Sequence, residues 1–589
     1  MKLNKQATVL LNTIRALAPI VSNAVKSRQL FNPQCELTAA DPDILCEYDV
    51  EIPMSEGFSL TANIYRSKQA AEQNEPVPVV MCAHPYDNHI TPALGKTPVG
   101  GAPQQYRLIS QVGRPKFSKL TSWESPDPNF WVPAGYAIVN VNLPGYANSG
   151  GHPSVFSEHQ GKCYYEAIEW VAQQPWCTGK VGLNGVSFLA ITQYHVAACQ
   201  AYGGPPPSLC CISPWEGLTD PYHDVFTRSG LTELGFPAFW WSTEVKTAIN
   251  GTPRDFVQAE GSIPTRFVES HPFYDDFWKE KAAKLEEITV PMLVCGSFSD
   301  HGLHTMGSFR AFMKARSEHK WLYTHRTGKW DAYYSPEVQE LTRRFMDCFL
   351  KGDPSSGFLD TPPVRLEVRS SQEHIYEVRY EQEWPIARTN YQKLHLSDQQ
   401  SLSPETLSAP QELSYSATTG KVIFLYAFAE DIELTGYMKL RLWMEARHEM
   451  HDPEVPDDMG IYVAINKRDR TQAAVPFYGS VGNQQDMVTR GWGRASRREL
   501  DPIASTPWNP VLQASRAETL KPGQIVPLEI ALYPSSTFFA AGEALELIVS
   551  SQEIIPSPPY FKEVSFNRGL HIIHYGGNFN SHLLVPVVQ

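Results

Sequence analysis

The sequence lacks the features of secreted, membrane-spanning and nucleic-acid-binding proteins. Its ten cysteines lie between Cys35 and Cys348 without paired spacing, so we expect no disulfide framework and favour a reducing compartment, the cytoplasm. No apolar stretch is long enough to cross a membrane. The formal net charge is −13 at pH 7, without a long run of Lys and Arg, which excludes the basic surface of a nucleic-acid-binding protein. Small molecules are therefore the expected partners.

The N-terminus lacks the unbroken apolar region of a signal peptide. Residues 1–43 predict a helical extension, in which Asn12, Arg15 and Pro19 interrupt the apolar face of an amphipathic helix. The sequence also contains no internal repeat and no low-complexity tract, so repeat architectures are not expected. With 589 residues, the chain is too long for one core, and we expect two or three domains.

Two kinds of hydrophobic periodicity divide the chain. Residues 44–352 alternate continuous apolar runs, typical of strands buried on both faces, with segments of helical spacing. This order predicts an α/β domain with a doubly wound sheet, and the order is interrupted from about 215 to 288. Residues 358–589 show a period of two with frequent turns, which predicts an all-β sandwich.

The segment 181–193 predicts a strand, a tight turn and a helix, with Ser187 on the turn. A serine at such a turn holds its hydroxyl clear of the backbone and leaves the next N–H, that of Phe188, available to an oxyanion. The fifth position of this motif is usually glycine and is here Leu189. Because Gly-x-Ser alone is a weak signal, a structural serine that caps a helix remains the alternative. The context favours Ser187 as a nucleophile.

Two further polar segments follow predicted strands. His84-Pro85-Tyr86-Asp87 comes after the apolar run 77–83, and Asp300 follows the run 290–296. With these segments, the chain resembles the cocaine-esterase and Xaa-Pro dipeptidyl-peptidase family of α/β-hydrolases (CocE/NonD-like hydrolases) over nearly everything after residue 44. The resemblance implies an α/β-hydrolase doubly wound sheet with a helical cap at about 215–288 and a C-terminal jelly-roll β-sandwich. It also implies that Tyr86 donates to an oxyanion hole together with the Phe188 N–H.

An acid that follows the serine in chain order is expected in this fold, and Asp300 fits that position, although a surface helix cap is the alternative. The histidine is less certain. His325 ends the last predicted strand, whereas better-known relatives place the histidine a few residues later, where this chain has Gly328 and Lys329. The base is therefore His325, which we favour, or His304 after Asp300, or it is absent.

Aromatic residues are frequent in the predicted cap. We expect an apolar acyl or alcohol pocket there, although packing of a small cap core would explain the same residues: Trp215, Tyr222, Phe236, Phe239 and Trp240. A zinc site with His301, His304 and a distant ligand is a further alternative, but the sequence offers no second ligand pair with suitable spacing. We predict no metal and no cofactor.

The predicted function is that of a serine hydrolase, which acts on an ester or amide carbonyl through an acyl-enzyme intermediate. The same residues would suit an acyltransferase or cyclase, and thioesters offer the same carbonyl. A dipeptidyl peptidase would need carboxylates for the substrate amine, for which Asp457, Asp458 and Glu216 are candidates. Gly328 at the usual histidine position favours a competing interpretation, a small-molecule-binding homologue without catalysis. A carbohydrate-binding module in the second domain has no distinguishing motif, and a homo-oligomer remains open.

Overall fold

The structure is a computed structural model that describes residues 35–91, 113–450, 454–479, 485–555 and 565–589. Most of the predicted N-terminal extension, residues 1–43, lies outside these ranges. Near its end, the short strand Glu36–Thr38 pairs in parallel with Lys116–Ser118. No helix in the described ranges is long and apolar enough to cross a membrane. All ten cysteines fall within the described ranges, and none of them forms a disulfide.

A mixed β-sheet forms the centre of the first domain. Its spatial order is β1-β2-β4-β3-β5-β6-β7-β8 for the strands β1 Ile44–Pro53, β2 Ser59–Ser67, β3 Val77–His84, β4 Ala137–Asn142, β5 Cys177–Val186, β6 Leu209–Trp215, β7 Met292–Ser297 and β8 Lys320–His325. The strands β1 and β2 form an antiparallel hairpin, β2 is antiparallel to β4, and the others are parallel. This order confirms the predicted doubly wound α/β-hydrolase sheet.

The helices connect these strands and cover the sheet. In the described residues they are α1 Lys68–Gln73, α2 Pro128–Trp131, α3 Glu158–Ala172, α4 Phe188–Ala197, α5 Gly235–Trp240, α6 Lys246–Ala248, α7 Pro253–Glu260, α8 Phe267–Ser270, α9 Asp276–Lys281, α10 Thr305–Lys314, α11 Lys329–Tyr333 and α12 Pro336–Met346. The α3 helix begins at the cap Ser157, whose side chain accepts a hydrogen bond from Gln160 N, and such a cap satisfies one donor of the first turn. Its buried face includes Tyr164, Ile168 and Val171, the three residues whose spacing predicts a helix.

The segment between β6 and β7 holds short elements: the helices α5 to α9, π-helical turns at Tyr222–Phe226 and Trp241–Val245, 3₁₀ turns at Pro264–Arg266 and Leu285–Glu287, and the two-residue strands Thr227–Arg228 and Leu231–Thr232. Its interior contains an aromatic cluster, in which the Trp278 ring lies 5.3 Å from Phe226 and 6.1 Å from Phe267. Edge-to-face and tilted aromatic pairs of this kind stabilise a small core beyond the area that they bury. The segment is therefore a small helical layer with its own packing, at the position where the sequence predicts a cap.

The second domain is rich in β-structure. Its strands are β9 Val364–Arg369, β10 Ile375–Glu381, β11 Thr389–Ser397, β12 Ser401–Ser403, β13 Gln411–Ser416, β14 Lys421–Ala427, β15 Ile432–Gly436, β16 Lys439–Arg447, β17 Gly460–Arg468, β18 Ala474–Val475, β19 Thr489–Arg494, β20 Val526–Ala531, β21 Ser535–Phe539, β22 Ala544–Ser550, β23 Leu570–Tyr575 and β24 His582–Val588. The alternation in β16 buries Leu440, Leu442 and Met444 completely, while Arg441 and Trp443 stay partly exposed. This pattern confirms the predicted period of two.

Candidate active site

Polar side chains meet where the parallel strands of the sheet end. Tyr86 follows β3, Ser187 follows β5, Glu216 follows β6, Asp300 follows β7 and His325 ends β8. The carboxyl ends of parallel strands in an open α/β sheet form the edge at which ligands bind. The sequence order of strands and loops therefore brings these five side chains to one side of the first domain.

Ser187 adopts a strained turn between β5 and α4. Its φ is +61° and its ψ is −117°, an unfavourable region for a residue with a side chain. The Ser187 N–H donates to Trp215 O over 3.0 Å, and Val186 N–H donates to Glu124 O over 3.2 Å. These bonds hold the turn, and the Ser187 side chain makes no helix-capping bond, so the alternative of a capping serine is not what the structure contains.

Gly185 explains how the turn accommodates Leu189 in the usual glycine position. Gly185 has a φ of +153°, and a Cβ placed on it would lie 2.6 Å from the Cβ of Leu189. One of the two positions must therefore be glycine for the chain to turn this tightly. In this chain the glycine is Gly185, two residues before Ser187, and Leu189 can therefore occupy the later position.

His304 is the histidine within hydrogen-bond distance of Ser187. Its Nε2 lies 3.2 Å from Ser187 Oγ, and its Nδ1 contacts Asp300 Oδ2. Asp300 and His304 are four residues apart in the loop between β7 and α10, and both are almost fully buried. The serine, the imidazole and the carboxylate thus form a continuous series of contacts, in the arrangement by which an acid orients a base toward a nucleophile.

The surroundings favour a neutral imidazole and an ionised carboxylate. Burial lowers the pKa of His304 below its usual value, and the positive charge of Lys329 lowers it further, against the opposing effect of Asp300. Burial alone would raise the pKa of Asp300, but the interaction and hydrogen bond with the adjacent His304 bring it below its usual value. At neutral pH, the His304 imidazole therefore has a nitrogen available to accept a proton.

The structure corrects the preference for His325. His325 Nε2 lies 2.7 Å from Glu216 Oε1, and its ring stacks on Trp215 with centroids 5.6 Å apart. The physical reason is the strand order: β8 lies three strands away from β5, and neighbouring strands are about 4.8 Å apart. A histidine directly at the end of β8 is therefore too far from Ser187, and the alternative residue, His304, occupies the position beside the nucleophile.

Tyr86 has the surroundings of a hydrogen-bond donor. It is buried, its ring lies 5.9 Å from that of Phe188, and its hydroxyl oxygen accepts a bond from Trp240 Nε1 over 3.0 Å. Burial raises the pKa of Tyr86 well above its usual value, so the hydroxyl keeps its proton. Phe188 is the first residue of α4, where a backbone N–H has no acceptor within the helix.

Two of the aromatic residues predicted for the pocket lie beside the nucleophile. The Trp240 ring stacks at 5.9 Å from Phe188 and at 5.4 Å from Phe156, and Phe236 stacks at 6.3 Å from Trp240. Together these rings form an apolar wall next to the Ser187 turn. A wall of this kind suits an apolar acyl or alcohol group.

The other three aromatic residues lie elsewhere. Trp215 is behind the nucleophile, where its main-chain oxygen accepts the Ser187 N–H. Tyr222 packs on Trp278 at 5.3 Å and donates its hydroxyl proton to Pro272 O over 3.2 Å, and Phe239 is buried in α5. The prediction of a pocket and the alternative of a cap core therefore each describe part of the set.

A buried lysine and glutamate complete the site. Lys329 begins α11, immediately after Gly328, where the family resemblance leads us to expect the histidine, and its Nζ lies 3.5 Å from Glu124 Oε1. Glu124 also accepts a bond from Trp330 Nε1 over 2.8 Å, and burial raises its pKa to about 7. The lysine thus contributes a positive charge to a site that contains several carboxylates.

The second domain contacts the loop that carries Asp300. Arg369, at the end of β9, is almost fully buried and donates to Phe298 O over 3.0 Å and to Ser535 Oγ over 2.8 Å. His301 Nδ1 lies 3.7 Å from Asp486 Oδ2, also in the second domain. His301 therefore faces away from His304, which disfavours the zinc interpretation. The loop between β7 and α10 is held from both of its sides.

Sequence reasoning did not identify Glu124, Lys329 and the pairing of Glu216 with His325. For the contact between Asp300 and His304 the sequence did contain a signal, because the spacing Asp300-x-x-x-His304 places both side chains on one side of a helical turn. No local pattern marks the other residues, because they come from separate loops that meet only in the folded sheet.

Comparisons with known proteins identify the family of the chain. The family profile of the X-Pro dipeptidyl-peptidase (S15 family) matches residues 56–331, and that of the X-Pro dipeptidyl-peptidase C-terminal non-catalytic domain matches residues 356–584. The cocaine esterase of Rhodococcus sp. (strain MB1 Bresler) is 24% identical over 441 residues, which cover 66% of this chain and 68% of that protein.

Solved structures extend the likeness over almost the whole chain. A crystal structure of a CocE/NonD family hydrolase from Staphylococcus aureus is 34% identical, with a TM-score of 0.83, and the match covers 92% of this chain and 94% of that one. An aminopeptidase from a marine sediment archaeon, Thaumarchaeota archaeon, has the same fold at 16% identity, with a TM-score of 0.66 and coverage of 93% and 97%. The chain therefore belongs to the CocE/NonD family of serine hydrolases.

Proposed function

We propose that the chain is a carboxylic ester hydrolase in which Ser187 is the nucleophile, His304 the general base and Asp300 the acid that orients the base. The observation that carries the proposal is the series of contacts from Ser187 Oγ to His304 Nε2, 3.2 Å long, and from His304 Nδ1 to Asp300. The interpretation as a binding homologue depended on the missing histidine at Gly328. The imidazole of His304, which comes from a different loop, argues against that interpretation.

The reaction proceeds in two halves. Ser187 Oγ attacks the substrate carbonyl carbon while His304 Nε2 takes the hydroxyl proton, and the Tyr86 hydroxyl and the Phe188 N–H donate to the resulting oxyanion. His304 then gives the proton to the leaving alcohol, the ester C–O bond breaks, and an acyl-enzyme remains. Water attacks this intermediate with the same imidazole as base, and the acid is released. An alcohol or amine acceptor in place of water would give acyl transfer.

Esters with an apolar group are the proposed substrates. The packed rings of Phe156, Phe188, Phe236 and Trp240 support this class, because they make the surroundings of the Ser187 turn apolar. Of the three carboxylates considered for a dipeptidyl peptidase, Asp457 is exposed, and Asp458 and Glu216 have other partners.

Asp458 accepts bonds from Arg494 Nε over 2.7 Å and from Ser496 Oγ over 2.7 Å. Glu216 is paired with His325. Recognition of a substrate amine by these two groups would require that those bonds break, so a dipeptidyl-peptidase activity is not proposed.

A fluorophosphonate probe tests the nucleophile, because it reacts only with an activated serine. We expect labelling of the natural protein and of Ser213→Ala, a control in the neighbouring strand β6, and none of Ser187→Ala. Equal labelling of Ser187→Ala would refute the serine mechanism. Product analysis with p-nitrophenyl esters, in water and with added alcohols, then distinguishes hydrolysis from acyl transfer.

A further inference from the structure

Glu216 and His325 form a second buried pair of carboxylate and imidazole next to the proposed triad. Glu216 is 0% exposed, His325 is 3% exposed, and the distance between His325 Nε2 and Glu216 Oε1 is 2.7 Å. Glu216 has a φ of +49°, in the left-handed region that is unfavourable for a residue with a side chain. Nothing in the serine mechanism described above requires this strained, buried acid.

The pair reaches the triad through Asp300. One oxygen of Glu216, one oxygen of Asp300 and a ring nitrogen of His304 lie within 4.8 Å of one another. Two carboxylates this close do not both stay ionised unless positive charge compensates one of them. Burial raises the pKa of Glu216, and the charge of His325 opposes that effect.

The other charged or titratable groups around Glu216 come from three elements. Cys295 on β7 and Glu124 before α2 interact with it unfavourably when ionised, whereas Lys329 on α11 interacts favourably. Lys329 is already paired with Glu124, so His325 is the group that compensates Glu216 directly.

We propose that Glu216 and His325 are positioning residues that share one proton, which neutralises the carboxylate beside Asp300 and leaves Asp300 as the anion that orients His304. The shared proton lies between His325 Nε2 and Glu216 Oε1, which are 2.7 Å apart. The ring of His325 is fixed for this role, since it stacks on Trp215 at an interplanar angle of 20°. The inference rests on the proposed serine mechanism.

Removal of His325 tests the inference through the pH profile of kcat/KM. In His325→Phe the ring stacking is retained, but Glu216 loses its proton partner. If Glu216 stays ionised, its negative charge raises the pKa of His304. If Glu216 instead shares a proton with Asp300, this proton must dissociate before Asp300 can orient His304 as an anion. Both effects move the acid limb of kcat/KM to higher pH, by about one unit or more.

A second substitution separates this effect from a loss of packing. Glu216→Gln removes the second carboxylate and keeps its shape, so the double variant His325→Phe/Glu216→Gln should return the acid limb to within about 0.3 units of the natural protein and recover most of the activity at pH 6. A control is His574→Phe in the second domain, whose ring nitrogen lies 3.0 Å from Glu445. This control should leave the acid limb unchanged.

The outcomes are distinct. If His325→Phe lowers kcat/KM equally at every pH, and Glu216→Gln does not rescue it, the pair is only structural and the inference is wrong. If the purified protein contains one equivalent of a divalent metal that a chelator removes together with activity, these residues hold a metal and the inference is also wrong. Failure of the proposed function would be seen separately, as an absence of fluorophosphonate labelling in the natural protein.

Discussion

The substitution His304→Ala tests the base directly. The Nε2 atom of His304 is 3.2 Å from Ser187 Oγ, and the residue is 1% exposed, so this contact is shielded from bulk solvent. A serine hydroxyl without its base is a poor nucleophile at neutral pH, and loss of the base costs about 10³-fold or more in kcat. This factor corresponds to about 4 kcal/mol of transition-state stabilisation.

The assay is hydrolysis of a small aryl ester, with kcat and KM measured separately. We expect a loss of kcat with little change in KM, because His304 contacts the nucleophile rather than the apolar wall. His571→Ala is a matched control, since His571 is a fully buried histidine in the second domain, 3.2 Å from Tyr415, and its removal should cost stability without this loss of kcat. If His304→Ala keeps more than about a tenth of the kcat of the natural protein, His304 is not the base.

Three further predictions concern the surroundings of the triad. Tyr86→Phe should lower kcat by about 10²–10³-fold, the usual loss for one oxyanion donor, and an unchanged kcat would make Tyr86 a packing residue. Lys329→Met should move the acid limb of kcat/KM to higher pH, because the charge of Lys329 lowers the pKa of His304 and activity is lost only as the pH falls through that pKa; a limb that stays in place would contradict this. Arg369→Met should lower the free energy of unfolding by about 3 kcal/mol, because several buried acceptors lose their donor, and it should also lower kcat. The control Arg379→Met, on β10, should change neither kcat nor KM. A soluble, fully active chain that ends at Gly357 would contradict the same reasoning.

The strands of the first domain were predictable because they are buried on both faces. Val79, Val80 and Met81 in β3 are 0% exposed, and a fully buried strand must be continuously apolar, which is a pattern visible in one sequence. The Ser187 turn was predictable for a similar reason, since only a short strand, a small residue and a helix in that order can form it. Local sequence was sufficient in both cases.

The partners of the triad were not predictable in the same way. Glu216, Lys329 and Glu124 follow different strands, and their ion pairs depend on the order of strands in the sheet. No periodicity encodes that order, and each residue alone resembles a surface charge. The pair of Glu216 and His325 shows the limit, because a histidine at a strand end is compatible with catalysis and with pairing to an acid.

The geometry of the sheet explains why the base moved to the loop after β7. A base on the loop after β8 must extend back over β7 and β6, a distance of about 14 Å at the usual strand spacing, which a residue several positions beyond the strand can cover. In this chain the loop after β7 lies one strand closer, and it already carries Asp300. His304, four residues after Asp300, can therefore contact Ser187 without a longer loop. Gly328, where the family resemblance leads us to expect the histidine, has no side chain, and beside it Lys329 pairs with Glu124 and His325 pairs with Glu216. The acid and the base of the proposed triad therefore lie on the same loop, and Arg369 connects this loop to the second domain by its hydrogen bond to Phe298 O.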